Sequence, residues 1–181
     1  MGGRLKVDLS PVETKPLAMS EELEVSAARL DADVVAETVR VRLDLVIRRR
    51  DEAFDLDGEM AVSGDLLCSR CLEPVAWHST EAFQLTLATE RPEALNDRED
   101  DVELAEEDLD VVYLAGDKLD LEELAAEQIL LALPMRVTCK DDCAGICPTC
   151  GGNRNIAGAC HCEPQGDPRW EALRDLRSAG S

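Results

Sequence analysis

Three stretches of the chain alternate apolar and polar residues with a period of two. Val39, Val41, Leu43, Leu45 and Ile47 interleave with Arg40, Arg42, Asp44, Val46 and Arg48. That pattern predicts a strand with one face in a core and one in solvent. RRDEA at 49–53 is the expected turn. Phe54, Leu56, Met60, Val62 and Leu66 repeat the alternation, with Gly58 and Gly64 in phase. Glycine inside a strand marks a bulge or a close approach of another group. Val75, Trp77, Phe83, Leu85 and Leu87 make a third run. Three strands in succession with short connections predict an antiparallel meander. A short strand is expected at RLKVDL (4–9), before Pro11 and Pro16 break the pattern. Ser20, followed by Glu21 and Glu22, looks like a helix start and suggests a short helix over Glu21–Leu30. Val25 and Ser26 suit a strand equally well.

Period 3.6 replaces period two after residue 119. Leu121, Leu124, Ala125, Gln128, Ile129 and Ala132 follow helical spacing, Asp120 and Glu123 have capping-box spacing with Asp in place of Ser or Thr at the cap, and Pro134 stops the run. Leu130, Leu131 and Leu133 widen that face, so the helix over 119–133 is expected to be well buried. Val111–Leu114 is a candidate short strand returning to the sheet. Asp167-Pro168-Arg169, with Trp170, Leu173 and Leu176 behind it, predicts a C-terminal helix over 168–177. Together these elements predict a single α+β domain over residues 1–181. Its body is an antiparallel β-meander or partly closed sheet over 4–89, joined by a buried helix and a C-terminal zinc-knuckle segment over 139–162.

Charge changes this picture in one place above all. The formal net charge is −20, from 39 acidic and 19 basic residues. Acids crowd residues 90–110 against Arg91 and Arg98 alone, which reads as a self-repelling, flexible loop or a docking segment for a basic partner. Long-range repulsion disfavours nucleic acid and anionic lipid and favours basic proteins. No apolar run is long enough to span a bilayer, and the start of the chain has no secretory pattern, so the expected location is cytoplasmic, with no membrane partner.

Eight cysteines carry the chemistry. They stand as Cys68-x2-Cys71, then Cys139-x3-Cys143-x3-Cys147-x2-Cys150, then Cys160-x-Cys162. In a reducing compartment such cysteines read as metal-binding or catalytic. Eight thiolates fill two tetrahedral zinc sites. The natural division is a local site from Cys147, Cys150, Cys160 and Cys162. Cys68, Cys71, Cys139 and Cys143 then form a second site joining the tip between two strands to the segment after the helix. Exchanging Cys143 with Cys147 is the nearest rival division, and His161 is an alternative ligand in place of a cysteine. Three other chemistries compete with zinc. Disulfides suit small secreted chains. A redox pair at Cys68 and Cys71 belongs at a helix N-terminus rather than a hairpin tip. Iron–sulfur clusters use the same four-thiolate shell. Arg70, Arg136, Lys140 and Arg154 screen the thiolates, and Arg70, Lys140 and Arg154 are candidate contacts to RNA phosphate. No glycine-rich phosphate loop, nucleophile elbow or paired catalytic carboxylate is recognisable, so no enzyme and no small-molecule substrate is expected.

CSRCLEPV (68–75), LDLEELAAEQILLALPM (119–135), CAGICPTCGGNRN (143–155) and DPRWEALRDL (167–176) occur in the order found in the YceD family, the large ribosomal RNA subunit accumulation proteins. The chain resembles that family across residues 53–177, and four ordered motifs make the resemblance specific. It implies a cytosolic, non-enzymatic role in making or retaining large-subunit rRNA in bacteria, with counterparts in plastids. The family's gene commonly neighbours that of a small zinc-binding ribosomal protein. Some members keep the first C-x-x-C and lack much of the later cluster, as two separable sites would allow. The expected partner is then the pre-ribosomal large subunit or a basic ribosomal protein, with rRNA contact indirect. The rivals are direct rRNA binding through the knuckles and a thiol redox protein.

Overall fold

A computed structural model describes residues 6–30, 33–89, 110–156 and 160–162. Its body is a five-stranded sheet in the order β2-β3-β4-β5-β6, formed by β2 (Leu17–Ser26), β3 (Thr38–Arg50), β4 (Ala53–Leu67), β5 (Pro74–Ala88) and β6 (Val111–Tyr113). The first four strands run antiparallel in chain order. The sheet is curled, and with its two helices the fold is α+β. Two corrections apply to the meander. β6 joins its edge parallel to β5, through Thr86–Ala88 alone. β1 (Lys6–Asp8) leaves it altogether and pairs with β7 (Lys118–Asp120) in a separate two-stranded sheet.

The expected helix over Glu21–Leu30 is mostly strand. Only α1 (Ala27–Leu30) is helical. Leu17, Met19, Leu23 and Val25 repeat every second residue and lie opposite Ile47, Leu45, Val41 and Val39 of β3. Cross-strand packing along that row outweighs the helix-start signal at Ser20. The turn after β3 is shorter than 49–53, since only Asp51 and Glu52 lie outside the strands.

Apolar rows cross the inner face of the sheet in register. Leu17, Ile47, Leu56 and Leu85 form one row; farther along, Val25 lies opposite Val39 and Gly64 opposite Trp77, with the Val39 side chain against Gly64. The two in-phase glycines are close-approach positions. The Phe83 ring lies over Gly58, and the Val39 side chain and Thr38 carbonyl lie against Gly64. α2 (Leu121–Ala132) packs on this core through Leu121, Leu124, Ala125 and Ile129. Asp120 caps it, its carboxylate accepting from the N–H groups of Glu122 and Glu123 at 3.2 Å each. Leu133 is extended, as a residue before proline must be, and ends the helix. Burial of α2 is one-sided. Leu131 is 80% exposed and Leu130 45%, so the widened face expected from sequence turns partly to solvent. The acidic segment over 90–109 and the expected helix over 168–177 lie outside the described residues.

Gly64→Val tests the inner face. A Cβ there would stand 2.6 Å from a Val39 methyl and 3.3 Å from the Thr38 carbonyl. Overpacking against a paired strand predicts a loss of about 1–3 kcal/mol in chemical denaturation. A variant that unfolds like wild type would contradict this packing.

Candidate metal centres

Cys68 and Cys71 lie in the connection between β4 and β5, at the end of the longest hairpin. Cys139 and Cys143 lie in irregular chain after α2. The connection is held to that chain before any metal is considered. Ser69 N–H donates to the Val137 carbonyl (2.9 Å). The Ser69 hydroxyl donates to the same carbonyl (2.8 Å) and accepts from Val137 N–H (3.2 Å). Arg70 Nη1 donates to the Cys143 carbonyl (2.9 Å), and Ile146 N–H donates to the Arg70 carbonyl (2.9 Å).

The eight sulfurs fall into two groups of four, Cys68/Cys71/Cys139/Cys143 and Cys147/Cys150/Cys160/Cys162. Within each, all sulfurs lie within 4.8 Å of one another. Cys143 belongs with the hairpin tip, so the exchange with Cys147 is not realised, and His161 belongs to neither group. Cys68 and Cys143 sulfurs are 3.8 Å apart, and Cys71 and Cys139 sulfurs 3.6 Å. Four sulfurs placed 2.3 Å from a central zinc ion stand about 3.8 Å apart. Disulfide sulfurs stand about 2.05 Å apart. The donor set and spacing of both groups are therefore compatible with tetrahedral zinc.

The two C-x-x-C turns share one backbone design. Cys68 N–H donates to the Glu73 carbonyl (2.9 Å), and Cys147 N–H donates to Gly152 (2.8 Å). Leu72 N–H donates back to Cys68 (2.9 Å), and Gly151 N–H to Cys147 (2.8 Å). The residue after the second cysteine is left-handed in both, Leu72 at φ 61° and Gly151 at φ 71°. This geometry turns N–H groups onto the first sulfur. Burial opposes ionisation of Cys68, yet the N–H groups of Arg70, Cys139 and Cys71 outweigh it and bring the thiol down to about 6. The Cys150 and Thr149 N–H groups bring Cys147 down to about 6. Burial also opposes ionisation of Cys143, and the Asn155 side chain and Gly145 N–H outweigh it, so that thiol is lowered as well. Cys139 and Cys162 move the other way. Burial and the adjoining Cys71, Cys143 and Cys68 sulfurs push Cys139 up to about 12. Cys150, burial and Cys147 push Cys162 up to about 12. Each group thus combines at least one sulfur favoured as a thiolate with others whose ionisation the crowd of sulfurs opposes, a balance that a bound cation would relieve.

The redox alternative fits poorly. Reactive thiols need access, whereas Cys68 is fully buried and Cys71 nearly so. The candidate RNA contacts differ among themselves. Arg70 is engaged with Cys143, Lys140 Nζ lies 3.8 Å from Asp142, and Arg154 is exposed with no side-chain partner among the described residues. Sequence reasoning gave no role to the asparagines of GGNRN. Asn155 Nδ2 donates to Cys143 Sγ (3.3 Å), and Asn153 Nδ2 donates to Glu73 Oε1 (2.9 Å). Two short amides after a knuckle glycine were the available signal.

Gly145 and Gly151 are both left-handed, at φ 72° and 71°, but only Gly145 is crowded, with a Cβ position 3.0 Å from the Arg70 carbonyl. Gly151→Ala should cost the conformational penalty alone, about 1–2 kcal/mol. Gly145→Ala should cost more, because it also disturbs the acceptor of the Ile146 N–H. Equal losses on thermal melting would contradict this docking.

The YceD family, described as large ribosomal RNA subunit accumulation protein YceD, matches residues 56–177. An uncharacterized protein of Mycobacterium tuberculosis is 30% identical over 176 residues, covering 95% of this chain and 81% of that one. Large ribosomal RNA subunit accumulation protein YCED homolog 1, chloroplastic, of Zea mays is 28% identical over 177 residues, covering 87% of this chain and 60% of that one. No solved structure matches the chain significantly. The match across two thirds of its length places this chain in the large ribosomal RNA subunit accumulation protein YceD family.

Proposed function

We propose that this chain is a non-enzymatic, cytoplasmic zinc-binding factor that supports accumulation of large-subunit rRNA by docking a basic ribosomal protein or a pre-ribosomal particle. The observation that carries this reading is the pair of four-sulfur groups. Bound zinc would supply a closed four-thiolate link with no open position for water or substrate, which is a structural centre. Cys68, Cys71, Cys139 and Cys143 would hold one ion and Cys147, Cys150, Cys160 and Cys162 the other. Metal binding on this scale is folding free energy, on the order of 10 kcal/mol or more per site.

Charge supports a protein partner over bare rRNA. Ionising eight thiols makes a chain of −20 more negative still, and two zinc ions return only half of that. Such a surface attracts basic proteins and is repelled by phosphate at long range. Arg154, exposed at the knuckle end, is the observation that favours direct rRNA contact instead. Binary titrations separate the two. The purified protein should bind basic large-subunit proteins without RNA, more weakly as salt rises, and should carry large-subunit precursors from lysate. Binding to isolated rRNA with a steep salt slope and no protein requirement would overturn the docking reading.

The two centres should differ in what they hold. Cys139→Ser should lower the melting temperature of the whole body, because it opens the link between hairpin tip and post-helix chain. Cys160→Ser should remove about one zinc per chain and leave the main transition nearly in place. Equal damage from both, by calorimetry and metal content, would contradict that division.

A further inference from the structure

Residues 144–155 follow the last cysteine of the first group, carry the first two of the second, and fold back on themselves. Ile146 pairs with Asn153 across a β-bridge, and Arg154 N–H donates to the Gly145 carbonyl (2.8 Å). The turn closing this small hairpin is the Cys147–Gly152 knuckle, which carries two ligands of the second group. The returning arm carries Asn155, whose side chain reaches the first group. Its Nδ2 donates to Cys143 Sγ (3.3 Å) and to Asn153 Oδ1 (2.9 Å), and its Oδ1 accepts from Ala144 N–H (2.9 Å). Asn153 Oδ1 also accepts from Asn155 N–H (3.0 Å), while Asn153 Nδ2 donates to Glu73 beside the hairpin tip (2.9 Å). One amide is therefore fixed by three hydrogen bonds, and one of its N–H groups is spent on a ligand sulfur.

We infer that Asn155 is a positioning residue that couples the two metal centres, so that closing the second centre aligns its amide on Cys143 and tightens the first. The inference rests on the zinc reading above. An N–H donated to a metal thiolate orients the ligand and disperses its charge, and loss of such outer partners typically weakens metal affinity 10- to 100-fold. The donor is in place only when the arm it rides on is registered against residues 144–146. A metal held by Cys147 and Cys150 from inside, and by Cys160 and Cys162 from beyond, keeps that turn closed. The effect must be reciprocal, each centre raising the affinity of the other.

Full-length protein equilibrated in a series of zinc buffers and pulsed with an alkylating reagent provides the test. Mass spectrometry reads protection of Cys68 and Cys71 separately from the second centre. Asn155→Leu should raise the zinc concentration for half-protection of Cys68 and Cys71 by about 10- to 100-fold. Asn155→Asp keeps shape and acceptor but loses the donor, and should do at least as much. Removing the second centre with Cys160→Ser and Cys162→Ser should raise the same midpoint about 5-fold or more with Asn155 present. In the Asn155→Leu background it should change nothing further. An unmoved midpoint in both Asn155 variants, or fully additive effects, would overturn the coupling while leaving the zinc reading standing. Absence of zinc-dependent protection in wild type would remove that reading and the coupling with it.

Discussion

Four sulfurs meet where the tip of the β4–β5 hairpin lies against the chain that follows α2. Without that contact the hairpin would end in a free loop, and the segment from Val137 onward would have little to fold against. Among the described residues it has few buried apolar side chains of its own, and Val137 is the one of these that joins the main core. Cys68, Cys71 and Cys143 instead make a second small core with Val75. Hydrogen bonds from Ser69 and Arg70 set the approach, but they are few, and individual hydrogen bonds contribute on the order of 1 kcal/mol each. A zinc ion bound by the four thiolates, as proposed, would exceed their sum, and the order of the C-terminal part of the described chain would then depend on it.

The division of labour follows from position. The sheet is stabilised by its own inner rows and by α2, which lies against β2 and β4 and shares the core with Leu9 of the N-terminal strand region. The first cysteine group brings together two distant parts of the sequence, 68–71 and 139–143, so a metal bound there would close a long loop. The second is nearly local, spanning 147–162. Closing a longer loop removes more unfolded-state entropy, though the dependence on length is gentle. The sharper distinction is burial: in the first group Cys68, Cys71 and Cys143 are buried and Cys139 is exposed, whereas in the second only Cys147 is buried.

Much of this was legible in the sequence because period-two alternation records which face of a strand is buried. β3, β4 and β5 announce themselves that way, and α2 is bounded by a capping aspartate and a proline. β2 was less readable. Ser20-Glu21-Glu22 has the local chemistry of a helix start, and only pairing with β3, a non-local fact, decides against it. The parallel attachment of β6 and the departure of β1 to β7 are likewise long-range choices that three-residue strands cannot encode. Among the cysteines, spacing suggested the grouping, since C-x-x-C turns present two sulfurs on one edge. The Asn155 contact was hidden because it depends on a hairpin that only the folded knuckle creates. Leu72 was hidden too, for a left-handed leucine occupies a position that glycine fills in the second knuckle.

Two closed, all-sulfur zinc centres, as proposed, would fix the hairpin tip to the post-helix chain and close the knuckle that follows it. X-ray absorption at the zinc edge on the purified full-length protein, normalised to zinc content, tests this most directly. The account predicts two zinc ions per chain, each surrounded only by sulfur at about 2.3 Å. Nitrogen or oxygen in the average first coordination shell, or a single ion per folded chain, would contradict it.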